Sequence, residues 1–195
     1  MRSLRTFRPE AGSSIAVFGT GTVGLLAVMA ARVAGCTTII GVDVRPARLE
    51  SALELGATTV VDGRSGDPVG AVRGFTGGTG VDLSIDTTGI PSVIQRAVYC
   101  TAPGGVCGLI GAPPFGTEVS LDVNLVMAMG RTVRGIVEGQ SLPDVFLPRL
   151  IELWRPGRFP VDRIMTHHSF DDIDRAARDA EEGRVVKPVL RVDAA

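Results

Sequence analysis

The stretch that decides the fold runs from Ile15 to Gly24 and reads Ile-Ala-Val-Phe-Gly-Thr-Gly-Thr-Val-Gly. Its first four residues are apolar without interruption, as in a strand that is buried on both faces of a sheet. The three glycines follow the pattern Gly-x-Gly-x-x-Gly, and the apolar residues after them predict a buried helix over about Val23–Val33. A strand, a glycine-rich turn and a helix in this order are typical of the first unit of a nucleotide-binding α/β fold.

Short apolar or β-branched runs continue to alternate with helix-like segments along the chain. Further strands are predicted at Thr38–Val42, Thr59–Val61, Val81–Ile85, Gly105–Ile110 and Thr132–Val137. This alternation predicts a parallel sheet that is covered by helices. Six strands with crossover helices predict an α/β Rossmann fold, a doubly wound sheet with the strand order 3-2-1-4-5-6.

The pattern changes after residue 140, where the sequence predicts a C-terminal strand-helix-strand extension. A helix over about Asp144–Trp154 contains Pro148, which we expect in the first helical turn, where amides lack intrahelical partners. Ser169 and Asp172 resemble a capping box at the start of another helix. The predicted domains are therefore a lead-in over 1–14, a Rossmann domain over 15–140 and an extension over 141–195.

Composition restricts the class of protein. The chain has 195 residues, of which 45% are hydrophobic and 21% charged, and its formal net charge is -1. These values are ordinary for a globular protein, and so small a net charge does not attract nucleic acid or an anionic membrane. No apolar run reaches the roughly 20 residues of a membrane-spanning helix. We therefore expect a soluble, cytoplasmic protein that binds neither nucleic acid nor membrane.

Cysteine and histidine usage predicts no metal site and no catalytic residue within this chain. Cys36, Cys100 and Cys107 form no Cys-x-x-Cys pair, so we expect three reduced thiols that act as small apolar residues. His167 and His168 are adjacent, and on a strand they would point to opposite faces rather than chelate one metal together.

Each glycine of the turn has a separate predicted role. Gly19 permits the tight turn, Gly21 lets a pyrophosphate approach the backbone, and Gly24 lets the helix pack closely on the strand. The helix N-terminus adds amides and a partial positive charge for the phosphates. An acid at the end of the second strand, Asp43, completes the pattern expected of a dinucleotide site.

Asp43 favours NAD as the cofactor, because its carboxylate can accept hydrogen bonds from the adenosine ribose and would repel the extra phosphate of NADP. Charged hydrogen bonds contribute roughly 1.5–3 kcal/mol, so the preference for NAD is expected to be about ten- to a hundredfold. Arg45 and Arg48 leave an alternative open, since nearby arginines can accommodate a 2′-phosphate. At the start of a helix they can equally be solvated charges.

Asp86 closes the fourth strand just before Thr87-Thr88-Gly89. A carboxylate in this position could be catalytic, but its place at the end of a strand, before the Thr-Thr-Gly turn, favours a structural role. We expect Asp86 to hold the Thr-Thr-Gly turn.

With strands and motif in place, the chain resembles the C-terminal half of the zinc-dependent medium-chain alcohol dehydrogenases, and among them the branch that acts on aryl or benzyl alcohols. The resemblance extends from about Arg8 to Val192. It rests on Gly12–Gly24, Glu54-Leu-Gly-Ala57, Asp86-Thr-Thr-Gly89, Gly108-Leu-Ile-Gly-Ala-Pro-Pro114 and Gly130-Arg-Thr-Val-Arg-Gly135.

The resemblance implies a set of cofactor contacts. The pyrophosphate would lie against Gly19, Thr20, Gly21, Thr22, Val23 and Gly24, and the adenosine ribose against Asp43 with Arg48 beside it. Ile110, Gly111, Ala112 and the backbone of Ile136 and Glu138 would line the nicotinamide. Lys187 falls where the family places a basic residue near the pyrophosphate.

The resemblance also implies what this chain would need for catalysis. In the family, the catalytic zinc ligands and the proton-relay residues belong to a domain that precedes the nucleotide fold, and zinc acts as a Lewis acid on the alcohol. Hydride transfer between a primary or aryl alcohol and NAD is therefore expected only when that domain is supplied. The tail would then lack its usual support, so we expect Phe159, Ile164 and Phe170 to be exposed.

Two alternatives remain at this point. The chain could be a stand-alone NAD-binding or sensing module, or a methyltransferase, which also uses a glycine-rich first turn and an acid on the second strand.

The family resemblance further implies a homodimer joined at the sixth strand, with Val119–Val123 and Thr132–Val137 near the contact, because an open sheet edge invites pairing.

Overall fold

A six-stranded parallel sheet organises the larger part of the computed structural model, which describes residues 7, 9–137 and 141–192. The strands are β1 (Ser14–Phe18), β2 (Thr38–Asp43), β3 (Thr59–Asp62), β4 (Val81–Asp86), β5 (Thr101–Leu109) and β6 (Thr132–Gly135). Their order across the sheet is β3-β2-β1-β4-β5-β6, and every neighbouring pair is parallel. The predicted doubly wound topology is confirmed.

Helices connect these strands. They are α1 (Thr22–Ala34), α2 (Pro46–Leu55), α3 (Pro68–Gly74), α4 (Pro91–Cys100) and α5 (Val123–Ala128), with α6 (Pro143–Trp154) after the last strand. Three of the crossover helices begin at a proline, which suits the first helical position because the amide there has no intrahelical partner.

The core of this part lies between the middle strands and their helices. Phe18, Ile40 and Val98 are among its fully buried side chains. β1 is apolar and enclosed from Ile15 to Phe18, as expected of a central parallel strand. The carboxyl ends of β1, β2 and β4 therefore lie side by side above this packed core. The order of strands reverses between β1 and β4, and a crevice is expected there.

Two strand boundaries of the main sheet differ from the sequence-based expectation by more than one residue. β5 begins at Thr101 rather than Gly105, and it carries exposed Pro103 and Gly104 within it. The register with β4 shifts between Val81 and Leu83, so the strand accommodates the Pro-Gly pair as a bulge. β6 ends at Gly135, two residues earlier than predicted.

Helix α6 corrects the expectation for Pro148. The helix starts at Pro143, so Pro148 is its sixth residue and lies inside the helix rather than in the first turn. A proline there lacks the amide that would donate to the carbonyl four residues earlier, and this weakens the helix locally.

Contacts divide the chain into two compact units, Met1–Phe159 and Pro160–Ala195. The second unit has β7 (Met165–Ser169) and β8 (Lys187–Arg191), a parallel pair, with α7 (Ile173–Glu181) between them in sequence. This is the predicted strand-helix-strand unit. The predicted domain boundaries at residues 14 and 140 remain predictions.

Two details of the predicted tail are wrong. Ser169 makes no capping hydrogen bond, because a short 3-10 turn over Phe170–Asp172 intervenes and α7 begins only at Ile173. Phe159 and Ile164 are buried, with 3% and 4% of their surface exposed, whereas Phe170 is exposed as expected.

Candidate functional site

The glycine turn between β1 and α1 has the compact geometry that its sequence predicts. Gly19 has φ +86°, and a Cβ there would lie 2.6 Å from the Thr87 hydroxyl oxygen. A Cβ on Gly24 would overlap the carbonyl oxygen of Gly19. Both positions therefore require glycine for reasons internal to the fold.

Gly21 differs from its two neighbours in the motif. The nearest atom to a Cβ at this position is a guanidinium nitrogen of Arg48 at 3.7 Å, an ordinary contact distance. Nothing in the turn itself therefore excludes a side chain at Gly21, and the space above it is open. Gly21 is also the N-cap of α1 and supplies no side-chain cap, so the positive end of a 13-residue helix is directed into this space.

Asp43 lies beside the turn as a nearly buried carboxylate, with only 5% of its side chain exposed. The amide and the hydroxyl of Thr20 donate to its Oδ2 at 2.7 and 3.1 Å. The amides of Val44 and Arg45 donate to its Oδ1 at 2.8 and 3.0 Å. These four bonds fix the glycine turn to the end of β2. They use about the four acceptor positions that a carboxylate offers, so a ribose hydroxyl would have to share Asp43 with these donors.

The role of the Thr20 side chain was not evident from the sequence. Thr20 is fully buried, and its hydroxyl bonds to Asp43 across 23 residues of sequence. A hydroxyl at the first variable position of the motif is the only sequence signal for this contact.

Arg48 lies next to both groups. One guanidinium nitrogen is 4.0 Å from the Asp43 Oδ2, and the same nitrogen is the closest neighbour of the open Gly21 position. A fixed positive charge therefore stands between the carboxylate and the space above the turn, where it can attract an anionic or hydroxylated ligand.

A cleft of about 310 Å³ opens in front of these residues. Gly19, Gly21, Asp43 and Arg48 line it, as the predicted site requires. Sequence reasoning missed the rest of its lining, which includes Val44, Gly63, Pro68, Ile90, Val93 and Arg96. Most of these residues follow the carboxyl ends of β2, β3 and β4, a position that could have identified them once the strand order was assigned.

Asp86 holds the turn after β4, as expected. Its Oδ1 accepts from the amide and hydroxyl of Thr88 at 3.2 and 2.7 Å, and its Oδ2 accepts from the Gly89 amide at 2.9 Å. Asp86 is fully buried, so the carboxylate is occupied by structural donors.

The residues predicted to line the nicotinamide lie at the same edge of the sheet. The amides of Ile110 and Gly111 donate to the Asp86 carbonyl at 2.9 and 3.1 Å. Ile136 follows β6 and donates its amide to the Leu109 carbonyl at 2.9 Å. Ala112 is exposed beyond this contact.

Two predicted cofactor residues lie outside the described part of the first compact unit. Glu138 lies outside the described residues. Lys187 is exposed at the start of β8, in the second compact unit. Their contacts with a cofactor stay predictions.

The three cysteines are free and buried, as predicted. Burial raises the pKa of all three thiols, and that of Cys107 reaches about 11. His167 and His168 occupy strand β7, and the described residues contain no group of three or more His, Cys, Asp or Glu side chains placed to hold a metal ion. These residues do not fit a catalytic zinc ion.

Among the helices that the structure describes, none combines the length and the apolar character needed to cross a membrane.

Known proteins share both this sequence and this fold. A geraniol dehydrogenase of Castellaniella defragrans is 41% identical over 180 residues, which is 92% of this chain and 48% of that protein. An "Alcohol dehydrogenase zinc-binding domain protein" of Burkholderia ambifaria superposes with a TM-score of 0.95 at 45% identity, covering 98% of this chain and 52% of its own. The benzyl alcohol dehydrogenase of Acinetobacter calcoaceticus also gives 0.95, at 36% identity over 98% of this chain and 53% of its own.

A structure from Sinorhizobium meliloti 1021, described as a zinc-binding dehydrogenase, contains NADP. It superposes with a TM-score of 0.80 at 26% identity, over 100% of this chain and 54% of its own.

The matched part is a similar fraction of each of these relatives. The chain spans about half the length of the curated relatives it matches. The profile of the family described as "Zinc-binding dehydrogenase" matches residues 22–153, which is more than half of the chain and includes most of the cleft. By sequence and by fold, this chain belongs to the zinc-binding dehydrogenase family, of which it represents the nucleotide-binding part.

Proposed function

We propose that this chain binds a nicotinamide dinucleotide in the cleft, with NAD preferred, and presents it for hydride transfer. The observation that carries the proposal is the open Gly21 position, which lies at an uncapped helix N-terminus beside Asp43 and Arg48. The pyrophosphate would lie on Gly21 and α1, the ribose between Asp43 and Arg48, and the adenine in the apolar part of the cleft. The nicotinamide would reach Ile110 to Ala112 and the residues after β6.

Gly21 offers a sharp test, because a side chain there would obstruct the ligand without overlapping the protein. Gly21→Val should weaken NADH binding by at least about a hundredfold, measured by fluorescence titration, while the melting temperature changes little. Gly66→Val is the matched control, since nothing lies within 4 Å of a Cβ at Gly66, which does not line the cleft. Unchanged binding by Gly21→Val would contradict the proposed pyrophosphate position.

The proposed preference for NAD is tested by a substitution at Asp43. Asp43 holds the glycine turn through Thr20, so a glycine at position 43 would disturb the turn as well as the ribose contact. Asp43→Asn keeps the size of the side chain and removes its charge. Its amide nitrogen cannot accept from two of the four donors, so a melting curve must first show that the turn is intact. We expect the ratio of NADPH to NADH affinity to rise about tenfold. An unchanged ratio would exclude Asp43 as the residue that discriminates between the cofactors.

The proposed reaction is reversible hydride transfer between a primary or aryl alcohol and NAD. Support comes from the relatives, which include a benzyl alcohol dehydrogenase and a geraniol dehydrogenase. Since the described residues do not fit a metal ion, we propose that alcohol activation depends on a further domain of the kind that the relatives contain. Benzyl alcohol oxidation that appears only when such a domain is added would support this proposal, whereas turnover by this chain alone would contradict it.

A second function, binding NAD without turnover as a sensing module, is favoured by the same lack of a metal-ligand cluster among the described residues. NADH binding fits both functions. Failure of any added dehydrogenase domain to restore turnover would favour the sensing module.

We also propose a homodimer joined through the β6 edge. All four residues of β6 are exposed, and the strand ends the sheet with its outer backbone groups unpaired by the sheet. Val123 and Val137 add exposed apolar side chains nearby in sequence. Sedimentation that finds only monomer at micromolar concentration would contradict the dimer.

The three unpaired cysteines suit the reducing cytoplasm, which we propose as the location.

A further inference from the structure

Arg96 stands out among the residues that line the cleft. It belongs to α4, which follows β4, yet its guanidinium donates to the carbonyl oxygen of Gly63 at 3.3 Å. Gly63 follows β3, the outermost strand on the other side of β1. The side chain therefore reaches across the cleft, about two strand spacings or roughly 10 Å from the strand that enters the glycine turn.

The surroundings of Arg96 are mostly apolar. Val44, Pro68, Ile90 and Val93 line the same cleft. The chain as described brings no carboxylate within 4.0 Å of the Arg96 guanidinium. One carbonyl contact leaves most of its five N–H donors available. An unpaired cation that is partly removed from water costs free energy unless a ligand supplies acceptors.

The chemistry of this place suits a heteroaromatic base. Aliphatic side chains can cover the two faces of a planar ring, and ring nitrogens are hydrogen-bond acceptors for a guanidinium, which also stacks on aromatic faces. We propose that Arg96 is a specificity-determining residue that recognises the purine base of the bound dinucleotide. This inference rests on the proposed function, because it assigns the adenine to the part of the cleft away from the glycine turn.

Arg48 does not share this role. It lies beside Asp43 and Gly21, where the ribose and the phosphates are proposed to bind. We therefore expect the two arginines to contact different parts of the cofactor, Arg96 the base and Arg48 the ribose and phosphates. Removal of Arg96 should affect only ligands that carry the base, and removal of Arg48 should affect ligands that carry the ribose and phosphates.

The test uses Arg96→Met, which keeps the length of the side chain and removes its charge and donors. Three ligands are titrated: NADH, NADPH, and reduced nicotinamide mononucleotide. The last lacks the purine together with its ribose and one phosphate, so a loss confined to the dinucleotides places Arg96 on the adenosine half. We expect Arg96→Met to weaken NADH and NADPH equally, by about tenfold, and to leave the mononucleotide unchanged. Arg96→Lys, which keeps the charge without the planar fork, should lie between wild type and Arg96→Met.

Arg149→Met is the matched control for net charge, because Arg149 is exposed on α6 and does not line the cleft. Melting curves of each variant show whether it folds, and Arg96→Gln is the second variant should Arg96→Met not fold.

Each other outcome contradicts the inference in a distinct way. Unchanged NADH binding by Arg96→Met excludes contact with the base. A greater loss for NADPH than for NADH identifies Arg96 as a phosphate contact. An equal loss for all three ligands identifies a purely structural role through Gly63. If the wild-type chain binds none of the ligands, the proposed function itself fails, which is a separate result.

Discussion

Two regions of the main sheet differ in how their surface groups are satisfied: the region around β1, β2 and β4, called here the cleft side, and the region around β6 and α5, called the β6 side. Around β1, β2 and β4, buried carboxylates end the strands and bond to nearby backbone amides, as Asp43 and Asp86 do. Around β6 and α5 the surface is open, with Val123, Met127 and Val137 exposed by 70% or more. On the cleft side the strand-ending carboxylates are satisfied within the chain and Arg48 and Arg96 keep unpaired donors, whereas the β6 side leaves exposed apolar surface that a second protein surface could cover.

This difference separates what the chain does alone from what it does with a partner. Substitutions on the cleft side should reduce the stability of the isolated chain and its binding of nucleotide. Substitutions on the β6 side should leave both nearly unchanged and affect association only.

The largest effect is expected for Gly24→Ala. The added Cβ would overlap the carbonyl oxygen of Gly19, so either α1 or the turn must move. We expect the free energy of unfolding to fall by about 3 kcal/mol and NADH binding to be lost. Chemical denaturation measures the first and titration the second. Gly66→Ala is the control, and equal stability of the two variants would contradict the close packing of helix and strand.

The next effect is expected for Asp86→Ala. Loss of the carboxylate removes three hydrogen bonds and leaves the Gly89 amide without its acceptor. The free energy of unfolding should fall by about 2–3 kcal/mol. Thr132→Ala on exposed β6 is the comparison, and we expect it to cost no more than about 0.5 kcal/mol. Unchanged stability of Asp86→Ala would contradict the structural role of this carboxylate.

A smaller effect should appear as a dependence of stability on pH. Burial raises the pKa of Cys107 from its ordinary 9.0 to about 11, so the folded state resists ionisation of this thiol and the unfolded state does not. The contribution of this thiol to the free energy of unfolding is therefore fully present below pH 9 and is lost as the pH rises from 9 towards 11. Between pH 8 and 10, Cys107→Ala should lose about 1 kcal/mol less than wild type does. Identical declines would show that Cys107 ionises normally.

The smallest effect on stability is expected for Val133→Lys. This residue lies on the open β6 edge with 38% of its surface exposed, so the free energy of unfolding should change by less than about 0.5 kcal/mol. If copies associate through this edge, the same variant should sediment as a monomer under conditions in which wild type is dimeric. Retained association would place the contact elsewhere.

Much of the fold could be predicted from sequence because parallel strands and glycine turns are local signals. Uninterrupted apolar runs marked the strands, and the Gly-x-Gly-x-x-Gly pattern marked the start of α1. The errors arose where tertiary context decides. The bulge in β5 depends on its register with β4, and the position of Pro148 depends on where α6 begins.

The site was predictable in part for the same reason. Gly19, Gly24 and Asp43 stand in a fixed order along one strand-turn-helix unit, so spacing alone identified them. Arg96 and Gly63 are 33 residues apart in sequence and meet only because the strand order places β3 and β4 on either side of the cleft. The Thr20 hydroxyl was missed because its acceptor is 23 residues away.

The hydrogen bonds by which Asp43 and Asp86 hold their turns have a consequence for the kinetics of cofactor binding. Both turns that border the cleft are already ordered by hydrogen bonds in the absence of ligand. Little conformational entropy is therefore lost when the cofactor binds. A preorganised crevice is filled in one step. In stopped-flow mixing, the observed rate for NADH should therefore rise linearly with concentration and show no plateau from a preceding isomerisation.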